Sequence, residues 1–192
     1  LAPFVDVSRQ KIHEQVKQEL ESIVTYPNEV IDKIIEQRVL EEIKDGIQTI
    51  QYQLITMSTT NGQAPFTSIF MWIDPDYDEN FQHDLALVIE EVLKQRIEGV
   101  KNEQGVPVTT AFPKLLYVLD ENNTHENSKY WYLTELAAEC SAKRLVPDYI
   151  SAKKMRELKN GNVFGCMGCR SFLQDYIDPD TGKHKFWGRL TA

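Results

Sequence analysis

Basic residues are in deficit: 21 Lys and Arg stand against 29 Asp and Glu, for a net charge of −8. A protein whose main partner is a polyanion needs a basic face to displace counterions, so nucleic acid is not expected as a partner. A nucleotide pocket survives this test, because a few backbone amides and one or two cations suffice. Long apolar runs are also missing. Nothing approaches the ~20 residues needed to span a bilayer, and no signal-peptide pattern is visible, so no membrane association is expected. Cysteine is scarce, at 3 residues. That is too few, and too clustered, for a disulfide framework, and it points to a reducing cytoplasm. The first residue is Leu1 rather than Met and the last residues are "GRLTA". Both ends read as cut from something longer, or processed.

What is present is ordinary globular material, with 42% hydrophobic and 26% charged residues over 192 positions. That is enough to bury a sizeable core. Ile12, Val16, Leu20 and Ile23 recur at helical spacing and predict a helix over 8–24, closed by Tyr26-Pro27-Asn28. A second, longer helix is predicted from about 29 to 57. Its stripe is Ile31, Ile34/Ile35, Val39, Ile43, Ile47, Ile50 and Leu54, interrupted by Gly46, a point for a local bend. An amphipathic helix this long is expected to lie on a broad surface such as a sheet.

"FTSIFMWI" (66–73) and Leu115–Leu119 read as strands, the second fully buried. Amphipathic helices follow each, over 81–100 and 130–145, and a short one over 150–159. Between them lie the acidic loop "DPDYDEN" and the polar loop "DENNTHENS" (120–128). Strands alternating with helices predict a parallel α/β architecture. Two or three strands make only part of such a sheet, so the chain reads as a piece of a larger α/β body.

The chemistry concentrates in "GNVFGCMGCRSFL" (161–173), where Cys166 and Cys169 are spaced as Cys-x-x-Cys. A zinc clamp needs about four ligands at short spacing. The rest of the chain offers only Cys140 and scattered histidines, so no metal site is expected. A thioredoxin-like dithiol needs a helix directly after the pair, and Pro179, Asp180 and Gly182 break that segment early. Cys140 follows Leu133 and Leu136 on an apolar stripe and reads as core. Asp74, Asp76 and Asp78 lack the glycine and glutamate of a calcium loop and read as a solvated acidic loop. His125 reads as exposed and idle. On residues alone, the segment is a cysteine-dependent site on a loop. Gly168 leaves access to the sulfur, and Arg170 either favours a thiolate or binds an anionic substrate group.

"MGCRSFL" (167–173) resembles the active-site finger loop of the anaerobic, glycyl-radical (class III) ribonucleoside-triphosphate reductases. "NGQAPF" (61–66) is similar to that family's Gly-Gln-x-Pro-Phe loop, and "FPKLLYVL" (112–119) to its Phe-Pro-Lys strand. "LAAECSAKRLVPD" (136–148) resembles its Cys-x-x-Lys-Arg-x-x-Pro helix, and "GRL" (188–190) its Gly-Arg. The motifs fall in the family's order over roughly residues 40–190.

The resemblance implies a ten-stranded α/β barrel of two parallel five-stranded halves, with the cysteine loop inserted into it. It implies that Cys169 is the thiyl-radical cysteine, and that Gln63 and Arg170 bind substrate or merely turn and anchor their loops. The implied partners are ribonucleoside triphosphates, an activating S-adenosylmethionine iron–sulfur enzyme, formate or a thioredoxin-like reductant, and a second copy in a homodimer. The implied glycyl radical, the upstream second thiol, the four-cysteine zinc segment and an ATP-cone find no counterpart in residues 1–192, so a fragment of the catalytic barrel is expected. The chain also departs from the family after Leu190, where Thr191-Ala192 stands in place of Asn and a Gly-Val-Val strand. Two other readings stay open: a sister glycyl-radical enzyme, which "MGCRSFL" disfavours, and an inactive remnant serving as a nucleotide-binding or interaction module.

Overall fold

The computed structural model describes residues 2–21, 27–57, 62, 66–101, 104–166, 171–172, 175–177, 184–186 and 190–191. In chain order the elements are α1 (Ala2–Glu21), α2 (Asn28–Thr56), β1 (Ser68–Met71), α3 (Glu79–Glu98), β2 (Val100–Lys101), β3 (Pro107–Val108), β4 (Lys114–Leu119), α4 (Trp131–Arg144), β5 (Asp148–Ser151) and α5 (Ala152–Leu158). Four short strands follow, β6 (Ser171–Phe172), β7 (Asp175–Ile177), β8 (His184–Phe186) and β9 (Leu190–Thr191). Among the described residues no helix is long and apolar enough to cross a membrane.

The chain is mixed α/β around a three-stranded parallel sheet in the order β1-β4-β5. Register pairs Phe70 with Leu116 and Val118 with Ile150. Each crossover moves one strand over in the same direction. With crossovers of constant hand, this places both crossover helices on one face of the sheet, and α3 and α4 do pack against each other.

Alternation along the strands sorts the side chains. Ile69, Met71, Leu115 and Tyr117 join the cluster formed with the helices. Leu116 and Val118 are just as buried, at 1% and 0% exposure, but lie outside that cluster. They belong to the opposite face, so β4 is dry on both sides.

The helix stripes pack as their spacing predicts. Ile35, Val39, Ile43 and Ile47 are buried along α2, which runs unbroken through Gly46. The sheet was the expected bed for this helix, but α2 lies on α1 and α3, one layer further out. The reason is geometric: α3 and α4 already cover the helix-side face of a narrow sheet. Helix α1 also begins earlier than its stripe suggests, at Ala2. Pro3 does not oppose this, because the first helical turn needs no amide hydrogen from it. Arg9 ties the layer together, donating to both carboxylate oxygens of Asp84 on α3 at 3.0 and 2.7 Å and to Glu36 on α2 at 3.0 Å.

A second arginine binds α3 to α4. Arg144, in the last turn of α4, donates from Nε and a terminal nitrogen to the Ile97 carbonyl, at 2.9 and 2.7 Å, and to the Glu98 carbonyl at 2.9 Å. These are carbonyls that the end of α3 leaves without intrahelical partners, at the negative end of its dipole. Gly99 makes room. It has φ +76°, and a Cβ there would sit 2.9 Å from the Val108 carbonyl oxygen and 3.0 Å from the Arg144 guanidinium. Arg144→Ala is expected to lower unfolding stability by about 1.5–3 kcal/mol in urea titrations, the cost of losing charged hydrogen bonds at a helix end. Arg144→Lys should recover less than half, because a point charge cannot reproduce the fork.

Candidate functional site

The carboxyl ends of parallel strands are where α/β proteins gather their functional groups. Here the chain leaves β4 into Asp120, whose side chain is 2% exposed. Three elements converge on that carboxylate. Trp72, just past β1, donates its indole N–H to Oδ2 at 3.1 Å. Arg156 of α5 donates through both terminal nitrogens, to Oδ1 at 3.0 Å and Oδ2 at 2.8 Å. The Glu121 amide adds a third donor at 3.0 Å. Burial pushes the Asp120 carboxyl upward, and the hydrogen bonds from Arg156, Trp72 and Glu121 outweigh it, so it lies below the usual carboxylate range.

The turn that holds Asp120 is closed by side-chain hydrogen bonds. The Asp120 amide donates to Asn123 Oδ1 at 2.8 Å, and Asn123 Nδ2 donates to the Val118 carbonyl at 2.9 Å. Asn122 Nδ2 reaches across to the Ile73 carbonyl at 2.8 Å, fastening the end of β4 to the end of β1. Tyr117 Oη is within 2.9 Å of Thr134 Oγ1 on α4, and burial raises its phenol to about 12. "DENNTHENS" reads as a plain polar loop, yet its first residues form a densely bonded corner of the sheet. His125 is exposed, as the sequence suggests.

The segment leading to the cysteines lies on the sheet face away from the helices. A Cβ on Gly165 would fall 2.9 Å from the Phe70 ring. Phe70 and Trp72 stack edge to face at 6.1 Å on that side. Cys166 is 7% exposed and free. Ala152 and Met155 of α5 are also buried outside the helix-side cluster. Cys169, Arg170 and Gln63, the residues singled out by sequence, lie outside the described residues.

Other sequence candidates take structural roles. Cys140 is fully buried under the helices, and burial pushes its thiol upward. Asp78 accepts from the Phe81 amide at 3.0 Å as the cap of α3. Arg96, which the sequence does not single out, is 3% exposed and donates to the Thr110 and Pro113 carbonyls at 2.9 and 2.7 Å. Among the described residues no group of His, Cys, Asp and Glu is placed to hold a metal ion. A cavity of about 850 Å³ opens between α1 and the start of α3. It is on the helix side, and its cation, Arg9, is already committed to Asp84 and Glu36.

The model of one protein family, anaerobic ribonucleoside-triphosphate reductase, matches residues 1–191. The chain belongs to the anaerobic ribonucleoside-triphosphate reductase family. A reductase of that name from Enterobacteria phage T4 is 30% identical over 98% of this chain and 29% of its own length. One from Escherichia coli K12 is 30% identical over 90% of the chain and 22% of its own length, and one from Haemophilus influenzae is 29% identical over 92% and 23%. The chain therefore spans less than a third of these curated relatives.

Sequence reasoning missed Asp120 and Arg156 because they are 36 positions apart and meet only through the β4–α4–β5 crossover. One signal was available: a carboxylate placed directly after the apolar run that forms β4. Asp120→Asn keeps the shape and removes the charge. At neutral pH it should cost about 1–2 kcal/mol, a charge-assisted bond discounted for the partly exposed Arg156. A carboxyl held below its unfolded value stabilises above about pH 4, and that stabilisation fades as pH falls through the folded value. The stability gap between the native chain and Asp120→Asn should thus narrow between about pH 5 and pH 2. Thermal melts across that range check it, and a constant gap would contradict it.

Proposed function

We propose that this chain is part of the catalytic barrel of an anaerobic ribonucleoside-triphosphate reductase, and that it carries the cysteine that exchanges a hydrogen atom with the substrate. The observation that carries the reading is the course of the cysteine segment over the sheet face opposite the helices, with Gly165 against Phe70. In a closed barrel that face is the interior. The stepwise order β1-β4-β5, with helices on one side, is the local pattern from which one parallel half of a ten-stranded barrel would be built.

Cys169 fits the hydrogen-atom carrier. It gives up its S–H hydrogen to a glycyl radical on a segment outside this chain, then takes the 3′ hydrogen of a ribonucleoside triphosphate. The 2′-hydroxyl then leaves as water, with electrons from formate or a dithiol. Installing the radical requires an S-adenosylmethionine iron–sulfur activase. S–H and activated C–H bonds are close enough in strength for such transfers to be reversible, and no thiolate is involved. Transfer demands near-contact geometry and a site closed to water, which a loop inside a barrel supplies. Gln63 and Arg170 are the proposed substrate contacts. A second copy as homodimer partner, and zinc confined to a segment beyond these residues, complete the reading.

In the full-length enzyme, Cys169→Ser should abolish nucleotide reduction, leaving no turnover above background. Cys166→Ser should keep most of it, because the neighbouring thiol is a packing residue. Deoxynucleotide yield measures both, and equal loss from the two variants would overturn this division. Residues 1–192 alone, mixed with activase, S-adenosylmethionine and formate, should reduce no nucleotide. A turnover there would show that the radical-bearing segment is dispensable.

A further inference from the structure

We propose that Asp120 is a positioning residue for the cysteine segment, acting through Arg156 and Trp72 as a clamp that fixes where the loop leaves α5. The proposal rests on the reading of Cys169 as hydrogen-atom carrier.

The connection runs through covalent and hydrogen-bonded steps. Asp120 is immobilised from behind: its amide donates to Asn123 Oδ1, and its carbonyl accepts from Thr124 Oγ1 at 2.9 Å. Its carboxylate grips the Arg156 guanidinium through two bonds. The backbone carbonyl of the same Arg156 accepts the Gly161 amide at 2.8 Å. That bond closes α5 in a six-residue terminating turn, with Asn160 at φ 52° and Gly161 at φ 84° in left-handed backbone. Gly161 opens the cysteine segment, and four residues later Gly165 lies against the Phe70 ring.

The segment is thus pinned at two points on one sheet face. Phe70 and Trp72 supply both, since the rings pack on each other while Trp72 also donates to Asp120. A lone ion pair on a surface helix would carry little weight. This one is bidentate, its carboxylate is 2% exposed, and it joins the end of the central strand to the helix that launches the loop. Hydrogen-atom transfer falls steeply with separation, so a small shift of the launch point is enough to disable it.

The thiols at 166 and 140 provide a readout that separates detachment of the loop from unfolding. Cys166 sits within the clamped segment at 7% exposure, whereas Cys140 is fully buried beneath the helices. In the full-length enzyme, Arg156→Ala should raise the alkylation rate of Cys166 about ten-fold, resolved by peptide fragmentation, with Cys140 unchanged. The same variant should lose about ten- to a hundred-fold in kcat, with KM within about two-fold. Arg156→Lys should recover part of both, and Trp72→Phe, which removes one donor with little loss of volume, should shift both mildly. Unchanged Cys166 labelling overturns the clamp, and so does a parallel rise at Cys140, which would mark general unfolding. Faster Cys166 labelling with undiminished kcat overturns the positioning role. The Cys169→Ser result stands apart from all of these and tests the catalytic reading alone.

Discussion

Strand β4 has water on neither side, and the rest of the chain is arranged around that constraint. Leu115 and Tyr117 face the helices, Leu116 and Val118 the opposite way, and all four are at most 1% exposed. A strand this dry satisfies its backbone only by pairing on both edges, which β1 and β5 do. It also needs two covers. Helices α3 and α4 supply one, locked together by Arg144 at the end of α3. The second face carries Phe70, Trp72 and the approach to the cysteines. The position of that segment is therefore a packing requirement in its own right.

Much of this was legible in the sequence, because long helices advertise themselves by period. The stripe from Ile35 to Ile47 in α2, the apolar run of β4 and the place of Cys140 in the core follow from spacing alone. Strand β5 did not. It has four residues, its side chains alternate between half-buried and exposed, and it follows directly on Pro147, which reads as a break. Its pairing with β4, not its composition, makes it a strand. Ser151 then caps α5 by accepting from the Lys154 amide at 3.3 Å, so the helix starts two residues later than its apolar pattern suggests. The site divides in the same way. The cysteine segment stands out in the sequence as "MGCRSFL", but the Asp120–Arg156 ion pair does not, because no local pattern couples residues 120 and 156.

The family-like motifs themselves separate into frame and chemistry. Arg144 of the Cys-x-x-Lys-Arg segment caps a helix, and Cys140 of the same segment packs near Arg96. The carbonyl of Pro113, in the Phe-Pro-Lys segment, accepts from Arg96. Phe112 of that segment meets Phe66, the last residue of "NGQAPF", edge to face at 5.0 Å. Two motifs far apart in sequence are thus one contact in space, at the end of the sheet where β1 and β4 begin. Such residues serve by fixing the end of the sheet, whatever the substrate. The family assignment accordingly rests on more than the cysteine loop, while the function rests on the loop.

The chemistry proposed for Cys169 also explains why its surroundings need not be electropositive. A hydrogen atom carries no charge, so an S–H group that passes one gains nothing from a cation that would strip its proton. Stabilised thiolate would compete with the thiol that has to react. Arg156, the cation on the helix that precedes the cysteine segment, is consistent with this: both of its terminal nitrogens are spent on Asp120. Its charge is neutralised inside the frame and its geometry is retained. For the radical carrier proposed, that is the useful division: the charge of Arg156 serves to hold the base of the loop.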